Sequence, residues 1–290
     1  MSLNSGRHLF SRVCPDHIYG IATQAYKKMC KVSIITVNYN NAQGLKKTMS
    51  SVFSQEFTNY EYIIIDGGST DSSTGYIKDH AQKIFYWISE KDNGVYDAMN
   101  KGIEKATGEY FIFLNSGDCF VNDQVLLDFS KQAAINKAAI YYGNIQSDDA
   151  VEGVKTQHYP SPLGLDFWEH YTINHQASFI KSSLFKTIGF YDTRYSLAAD
   201  YAFFLQCFIA GHVFEHINKP LVHYNLAGAS SLNKDIYRQQ MQLAWKNNIP
   251  PYLEILYRQQ KEHDHLMQHR IMRMAKNIQE KYSRLRRIFK

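Results

Sequence analysis

Several kinds of protein are excluded by what this chain has little of. Its four cysteines, Cys14, Cys30, Cys119 and Cys207, are scattered, with no CxxC pair and no metal-ligand spacing. That is the pattern of free thiols in a reduced, cytosolic compartment, not of a disulfide scaffold. Cys119 reads either as a reactive thiol beside Asp118 or, the commoner case, as a packed one. No apolar run approaches the roughly 18 residues a membrane-spanning helix requires. The irregular N-terminal extension, residues 1–30, lacks the apolar centre of a signal peptide. Internal repeats and low-complexity linkers are missing too, so residues 31–232 are expected to form one domain, followed by a helical region over 233–290. Net positive charge is missing from the body: from Leu253 to Lys290 ten Lys/Arg face four Asp/Glu, which more than accounts for the net charge of +5. A body without a basic face argues against nucleic acid as a partner.

What is present suits an α/β protein. With 290 residues, 44% of them hydrophobic, the chain can bury a full core. Its 21 Tyr and 17 Phe suit sugar or nucleobase surfaces and suit an ordinary core equally well. Lys31 to Val37 (KVSIITV) is a β-branched run ending in the polar turn Asn38-Tyr39-Asn40-Asn41, with a helix over Gly44 to Gln55. Glu61 to Ile65 (EYIII) is a second buried strand, ending in Asp66-Gly67-Gly68-Ser69-Thr70-Asp71. A helix over Ser72 to Gln82 and a strand over Ile84 to Ser89 follow. Gly94 opens an amphipathic helix whose Val95, Met99 and Ile103 face a core. Glu109 to Leu114 (EYFIFL) is a strand buried on both faces, running out into Asn115-Ser116-Gly117-Asp118. Strands alternating with helices at this spacing predict a Rossmann-like, mainly parallel sheet flanked by helices, with ligands at the strand C-ends. Three of those ends carry short polar side chains: Asn38 and Asn40, Asp66, and Asn115 with Asp118. Beyond them the chain reads as a helix over Asp123 to Asn136, a strand over Ala139 to Gln146 and an excursion or hairpin over Ala150 to Pro162. A strand over Asn174 to Lys181, a helix beginning near Ala198-Ala199-Asp200 and edge strands over Val213 to Ile217 and Leu221 to Asn225 complete the domain.

VSIITVNYNN, YIIIDGGSTDSS and DNGVYDAMNKGIEKATGEYFIFLNSGD, in that order and spacing, resemble the family 2 glycosyltransferases of the GT-A fold. The resemblance covers roughly residues 31–225. It implies that Thr36, Asn38, Asn40 and Asp66 hold the nucleotide, with Gly94, Asn100, Asn115 and Ser116 lining the same pocket. One carboxylate and several amides match the donor and acceptors of a uracil ring. The local alternative for Asp66 is a turn-capping carboxylate, and for Gly94 and Asn100 helix packing and capping. The family's acidic metal motif stands here as Asn115-Ser116-Gly117-Asp118, a departure that leaves Asp118 as the one hard ligand. A divalent cation, Mn2+ or Mg2+, then depends on the donor's diphosphate for further oxygens, and a metal-poor site is the alternative. His223 is a second candidate metal contact or a structural histidine. The family's catalytic acid residue matches Asp200, a general base for the acceptor hydroxyl or else a helix cap. His175 and Gln176 match a polar stretch at the donor sugar or acceptor; His175 reads equally as a satisfied core histidine.

The implied activity is inverting transfer of a sugar from a nucleotide-sugar donor, UDP-linked, to a glycan or lipid-linked acceptor in bacterial surface-polysaccharide synthesis. A catalytically weakened nucleotide-sugar binding module and a sugar-phosphate nucleotidyltransferase are the alternatives. The second wants a basic glycine-rich loop after the first strand, and NYNNAQG has no Lys or Arg; the same stretch lacks the GxGxxG of a NAD enzyme. In the tail, Met267, Ile271, Met274, Ile278, Tyr282, Leu285 and Phe289 form one apolar stripe between basic residues. Such a helix lies on an anionic membrane or serves as a docking or dimerisation helix. The expected location is the cytoplasm, at the inner membrane face if the acceptor is lipid-linked.

Overall fold

The computed structural model describes residues 29–149, 153–226, 228 and 232–288. Most of the N-terminal extension, with Cys14, lies outside the described residues, as do Phe289 and the side chains of Ile278, Tyr282 and Leu285. The sheet starts from β-branched runs that bury every side chain. β1 (Val32–Asn38) is buried along its whole length, and β2 (Tyr60–Asp66) along all but its first residue. The two run parallel in register, so that Asn38 sits opposite Asp66. β3 (Tyr86–Ser89) adds outside β2, bringing Ser89 opposite Asp66, and β4 (Tyr110–Phe113) adds on the other side of β1. The chain after β4 stays beside β1: Leu114 N–H donates to the Ile35 carbonyl (2.9 Å) and Ser116 N–H to that of Val37 (3.1 Å). Three strand ends thereby finish side by side, and their loops meet.

Helices α1 (Ala42–Phe53), α2 (Ser73–Asp79) and α3 (Val95–Lys105) make the crossovers between these parallel strands. Asn41 caps α1, its side-chain oxygen accepting from Gly44 N–H at 3.0 Å. The apolar face of α3 buries Tyr96, Ala98, Met99 and Ile103, while Val95 is half-buried at its mouth. Gly102 lets α3 approach the sheet, because a Cβ there would stand 2.5 Å from Ile35 Cγ2. The expected helix over Ser72 to Gln82 breaks at His80 into α2 and a 3-10 turn, Ala81–Lys83.

The second half departs from a parallel sheet. Among the described residues the order is β3-β2-β1-β4-β8-β6-β9-β5, from β5 (Cys119–Phe120), β6 (Ile140–Asp149), β8 (Ser178–Lys181) and β9 (Phe214–His223). β8 is antiparallel to β4 and β6, β6 and β9 are parallel, and β5 is antiparallel to β9. β7 (Gly153–Gln157) forms a hairpin with β6, as expected for the stretch before Pro160. Two expectations change. The two predicted edge strands over 213–225 are one strand, β9, inside the sheet; its register slips where Asn144 faces Pro220, a residue with no N–H to give the ladder. The predicted strand over Asn174 to Lys181 opens with a 3-10 turn, His175–Ala177, so His175 and Gln176 project from a turn. The remaining helices among the described residues include α4 (Val125–Ile135), α5 (Leu165–His170), α6 (Leu184–Thr187), α7 (Ala199–Ile209), α8 (Lys234–Asn248) and α9 (Pro251–Ile288). α7 is buried nearly all round, and α8 packs on it through Met241 and Ala244, both buried.

Close packing at the turn before β4 gives a sharp expectation. A Cβ on Gly108 would lie 2.6 Å from the Ser33 backbone nitrogen and 2.5 Å from its Oγ, whereas one on Gly75, inside α2, meets nothing within 4 Å. Gly108→Ala should cost about 3 kcal/mol, at the upper end of overpacking penalties. Gly75→Ala should gain up to about 1 kcal/mol. Urea denaturation of the two variants checks both signs.

Candidate active site

The tips of β1 and β2 are tied together before any ligand arrives. Asp66 is fully buried. Its Oδ1 accepts from Asn38 Nδ2 (2.7 Å) and Ser69 Oγ (2.6 Å), and its Oδ2 from Ser69 N–H (2.9 Å) and Ser89 Oγ (2.6 Å). Burial pushes this carboxyl up, but the bonds from Ser69, Ser89 and Asn38 outweigh it and hold the group below the usual range. Asp66 is thus the bracket for three loops, and all its oxygen lone pairs are engaged. Asn40, at positive φ (47°), accepts Thr70 N–H at 2.8 Å and donates its own N–H to Ser69 Oγ at 2.8 Å. The positive φ fits an asparagine in a turn. Beside them the ring of Tyr39 is 66% exposed, and its edge lies 3.4 Å from where a Gly67 Cβ would be. Sequence reasoning passed over Tyr39; an aromatic inside a polar strand-end turn was the available signal.

Two expected nucleotide residues do not reach this surface. Thr36 is wholly buried; its hydroxyl donates to the Leu114 carbonyl (2.7 Å) and accepts from Tyr62 (3.0 Å), bracing β1 against the chain after β4. Asn100 clamps the Tyr191 backbone from both sides, donating to its carbonyl (2.9 Å) and accepting its N–H (3.0 Å). Gly94 is the N-cap of α3 at φ +111°, a conformation that favours glycine.

The other candidates converge. A cleft of about 120 Å³ is lined by Val95, Tyr96, Asn115, Ser116, Asp118 and His175, with Gln176 and Asn225 also on its wall. Asp200, from the first turn of α7, lies immediately behind it. Its Oδ2 is 2.7 Å from His175 Nδ1, and its Oδ1 accepts from Tyr96 Oη (2.7 Å) and Tyr201 N–H (2.9 Å). On the cleft side, His175 Nε2 is 3.2 Å from Asn115 Nδ2. Buried tyrosines surround the carboxylate. Burial and then the charge of Asp200 push the Tyr96, Tyr191 and Tyr237 hydroxyls well above their ordinary range. Tyr96 also escaped sequence reasoning, because an aromatic beside a helix's apolar stripe reads as core.

Asp118 is buried, and burial raises it to about 6; the Asn225 N–H and a bond from the Gln176 side chain pull the other way. Asn225 N–H donates to its Oδ1 at 2.8 Å. His223 opens onto a neighbouring cleft and pairs with Asp148 at 3.1 Å. Asp118 and His223 are thus not gathered at one coordination point, and among the described residues no group of three or more His, Cys, Asp or Glu can hold a metal ion. With the Asp118 carboxylate taken up by the Asn225 N–H and the Gln176 side chain, and no second carboxylate beside it, the side chains do not fit a preformed cation site.

A mixed sheet whose first four strands run parallel, with helices on it and further helices at the C-terminal end, is the architecture of the GT-A fold. The solved structures agree on the fold. TarS residues 1–349 from S. aureus, in complex with UDP-GlcNAc, gives a TM-score of 0.60 at 15% identity, covering 74% of this chain and 65% of that one. The mannosyltransferase PcManGT from Pyrobaculum calidifontis, in complex with GDP-Man and Mn2+, gives 0.61 at 16%, covering 84% and 75%. Residues 33–198 match the model for Glycosyl transferase family 2, and the chain belongs to that family. An uncharacterized glycosyltransferase of Mycobacterium tuberculosis is 36% identical over 178 residues, 60% of this chain and 68% of its own length. A PGL/p-HBAD biosynthesis glycosyltransferase of Mycobacterium bovis is 30% identical over 185 residues, 61% and 69% of the two chains.

Proposed function

We propose that the protein is an inverting glycosyltransferase that moves a sugar from a UDP-linked donor to a glycan or lipid-linked acceptor of the bacterial cell surface. The observation that carries this reading is the meeting, at one cleft, of the polar turn after the parallel strand β4 with His175, which Asp200 backs. The first half offers an exposed ring, Tyr39, on which a uracil can stack beside a row of amides. The second half offers a basic group for the acceptor. Inversion follows if the acceptor oxygen attacks opposite the departing diphosphate in one displacement, which needs one base and no protein nucleophile. The complexes of TarS with UDP-GlcNAc and UDP support the choice of nucleotide, and the M. bovis relative's part in PGL/p-HBAD biosynthesis supports a surface glycolipid or glycan as acceptor.

Location at an inner membrane face belongs to the same proposal, with the basic α9 helix as the contact or as a surface for a second copy. No helix among the described residues is long and apolar enough to cross a membrane. A thermal-shift and calorimetry panel of UDP, UDP-GlcNAc and GDP-mannose, with and without Mn2+, tests the donor. UDP ligands should stabilise the protein, Mn2+ alone should not, and Tyr39→Ala should weaken UDP binding about tenfold or more, the usual loss of a stacking ring. Stabilisation by GDP-mannose and not by UDP ligands would reassign the donor. Binding with no sugar released to water would favour a binding module.

A further inference from the structure

Asp200 is in the wrong place to meet an acceptor itself. Its Oδ1 is occupied by Tyr96 and the Tyr201 N–H, its Oδ2 by His175, and the cleft is lined by His175 and Tyr96 but not by Asp200. A carboxylate can only accept, so the 2.7 Å contact fixes the proton of a neutral His175 on Nδ1. Nε2 is then a lone pair, and Asn115 Nδ2 donates to it at 3.2 Å, the longest contact in the chain of bonds. Asn115 carries the second sign of a missing ligand: its Oδ1 is buried, and no partner for it exists among the described residues. An unpaired buried oxygen costs about 1–3 kcal/mol, and a hydroxyl entering the cleft can supply the donor.

On the glycosyltransferase reading above, we propose that the acceptor's proton goes to Nε2 of His175, and that Asp200 is the positioning residue behind it. The acceptor O–H displaces the long amide contact and donates to Nε2. Its oxygen forms the bond to the anomeric carbon while the bond from that carbon to the diphosphate oxygen breaks, the electron pair leaving with UDP. The imidazolium formed is held by Asp200 through Nδ1–H, with Tyr96 and the Tyr201 N–H fixing the carboxylate. The proton passes to solvent after the products leave. Orientation and charge are what a buried carboxylate gives a catalytic imidazole in other proton relays.

The experiment is UDP release from UDP-GlcNAc, UDP-glucose and UDP-galactose with water as acceptor, beside UDP affinity by calorimetry. His175→Gln should lower kcat by about 10²–10³ while leaving UDP affinity within about threefold. Asp200→Asn should lower kcat at least about tenfold, and the double variant should fall no further than His175→Gln, because the two act as one unit. Free imidazole should restore His175→Ala by about tenfold or more, which no packing role explains. If Asp200 takes the proton directly, His175→Gln keeps more than about a third of wild-type kcat, imidazole restores nothing, and the assignment to His175 is overturned. A wild-type protein that neither binds UDP nor releases it from any of the three donors overturns the glycosyltransferase reading and this assignment together. Normal release by wild type and His175→Gln overturns this one alone.

Discussion

Asp118→Asn should make the protein more stable at neutral pH and less active. Burial raises the Asp118 carboxyl to about 6, from an ordinary value near 3.8. A carboxyl raised by folding favours the protonated form, so its contribution is full below the unfolded value and is lost as pH climbs through the folded one. Across about two pH units that amounts to about 3 kcal/mol lost by pH 7. Asparagine keeps an oxygen for the Asn225 N–H and has no charge to bury. Chemical denaturation from pH 4 to 7.5 should show the variant gaining on wild type as pH rises, with the difference nearly zero at pH 4. UDP release should drop at least about tenfold, since a cleft residue kept at such a cost to folding is kept for the ligand. A difference in stability that does not change with pH would mean that folding leaves the Asp118 carboxyl at its ordinary value.

The second large effect lies far from the cleft. Glu61, at the start of β2, is almost fully buried. It pairs with Lys31, accepts from Ser33 Oγ at 2.6 Å, and takes both the backbone N–H and the hydroxyl (2.7 Å) of Thr107. Ser33 Oγ in turn accepts Gly108 N–H at 2.8 Å. One carboxylate therefore joins β1, β2 and the turn between α3 and β4. Burial pushes it up, but the bonds from Lys31, Ser33 and Thr107 outweigh it and hold the carboxyl below its ordinary range. For a lowered carboxyl the stabilisation is present above the unfolded value and is lost as pH falls through the folded one. Glu61→Ala leaves several donors unsatisfied and should cost about 3–5 kcal/mol at pH 7, with a smaller penalty in acid. Guanidinium unfolding at pH 7 and pH 3 measures both. A loss under about 1 kcal/mol at pH 7 would show that water or a neighbour replaces the carboxylate without difficulty.

The strands and their polar tips were legible because they are local. β1, β2 and β4 are short β-branched or aromatic runs ending in polar turns, and Asp200 sits at the first turn of an apolar helix. What was not legible depends on partners distant in the chain. Thr36 looks like a strand-end ligand until the chain after β4 places the Leu114 carbonyl, 78 residues away, on its hydroxyl. Glu61 stands in a run read as a buried strand, but nothing local in that run shows that Lys31 and Thr107 meet its charge. His223 ends β9 and Asp118 immediately precedes its neighbour β5, yet they open onto separate clefts. The sheet's change of direction after β4 was also hidden, because a buried apolar strand reads alike whether its neighbour is parallel or antiparallel.

The long final helix has a consequence of a mechanical kind. α9 runs 38 residues, from Pro251 to Ile288, and it is fastened to the body near its start. There Tyr257 (3.0 Å) and Lys261 both bond to Glu169 of α5, and the Tyr257 ring lies 6.2 Å from Trp245. Farther on, Leu266, Met267, Ile271, Met272 and Met274 are exposed. A rod clamped at one end is a ruler: whatever grips its far end sets the standoff of the cleft at about 1.5 Å per residue. Removing seven residues after Met274 would shorten that reach by about 10 Å and turn the gripping face by only about 20°. Removing four would shorten it by about 6 Å and swing the face by about 40° the other way. Length and bearing can therefore be varied separately, and an acceptor fixed at a set distance would distinguish the two.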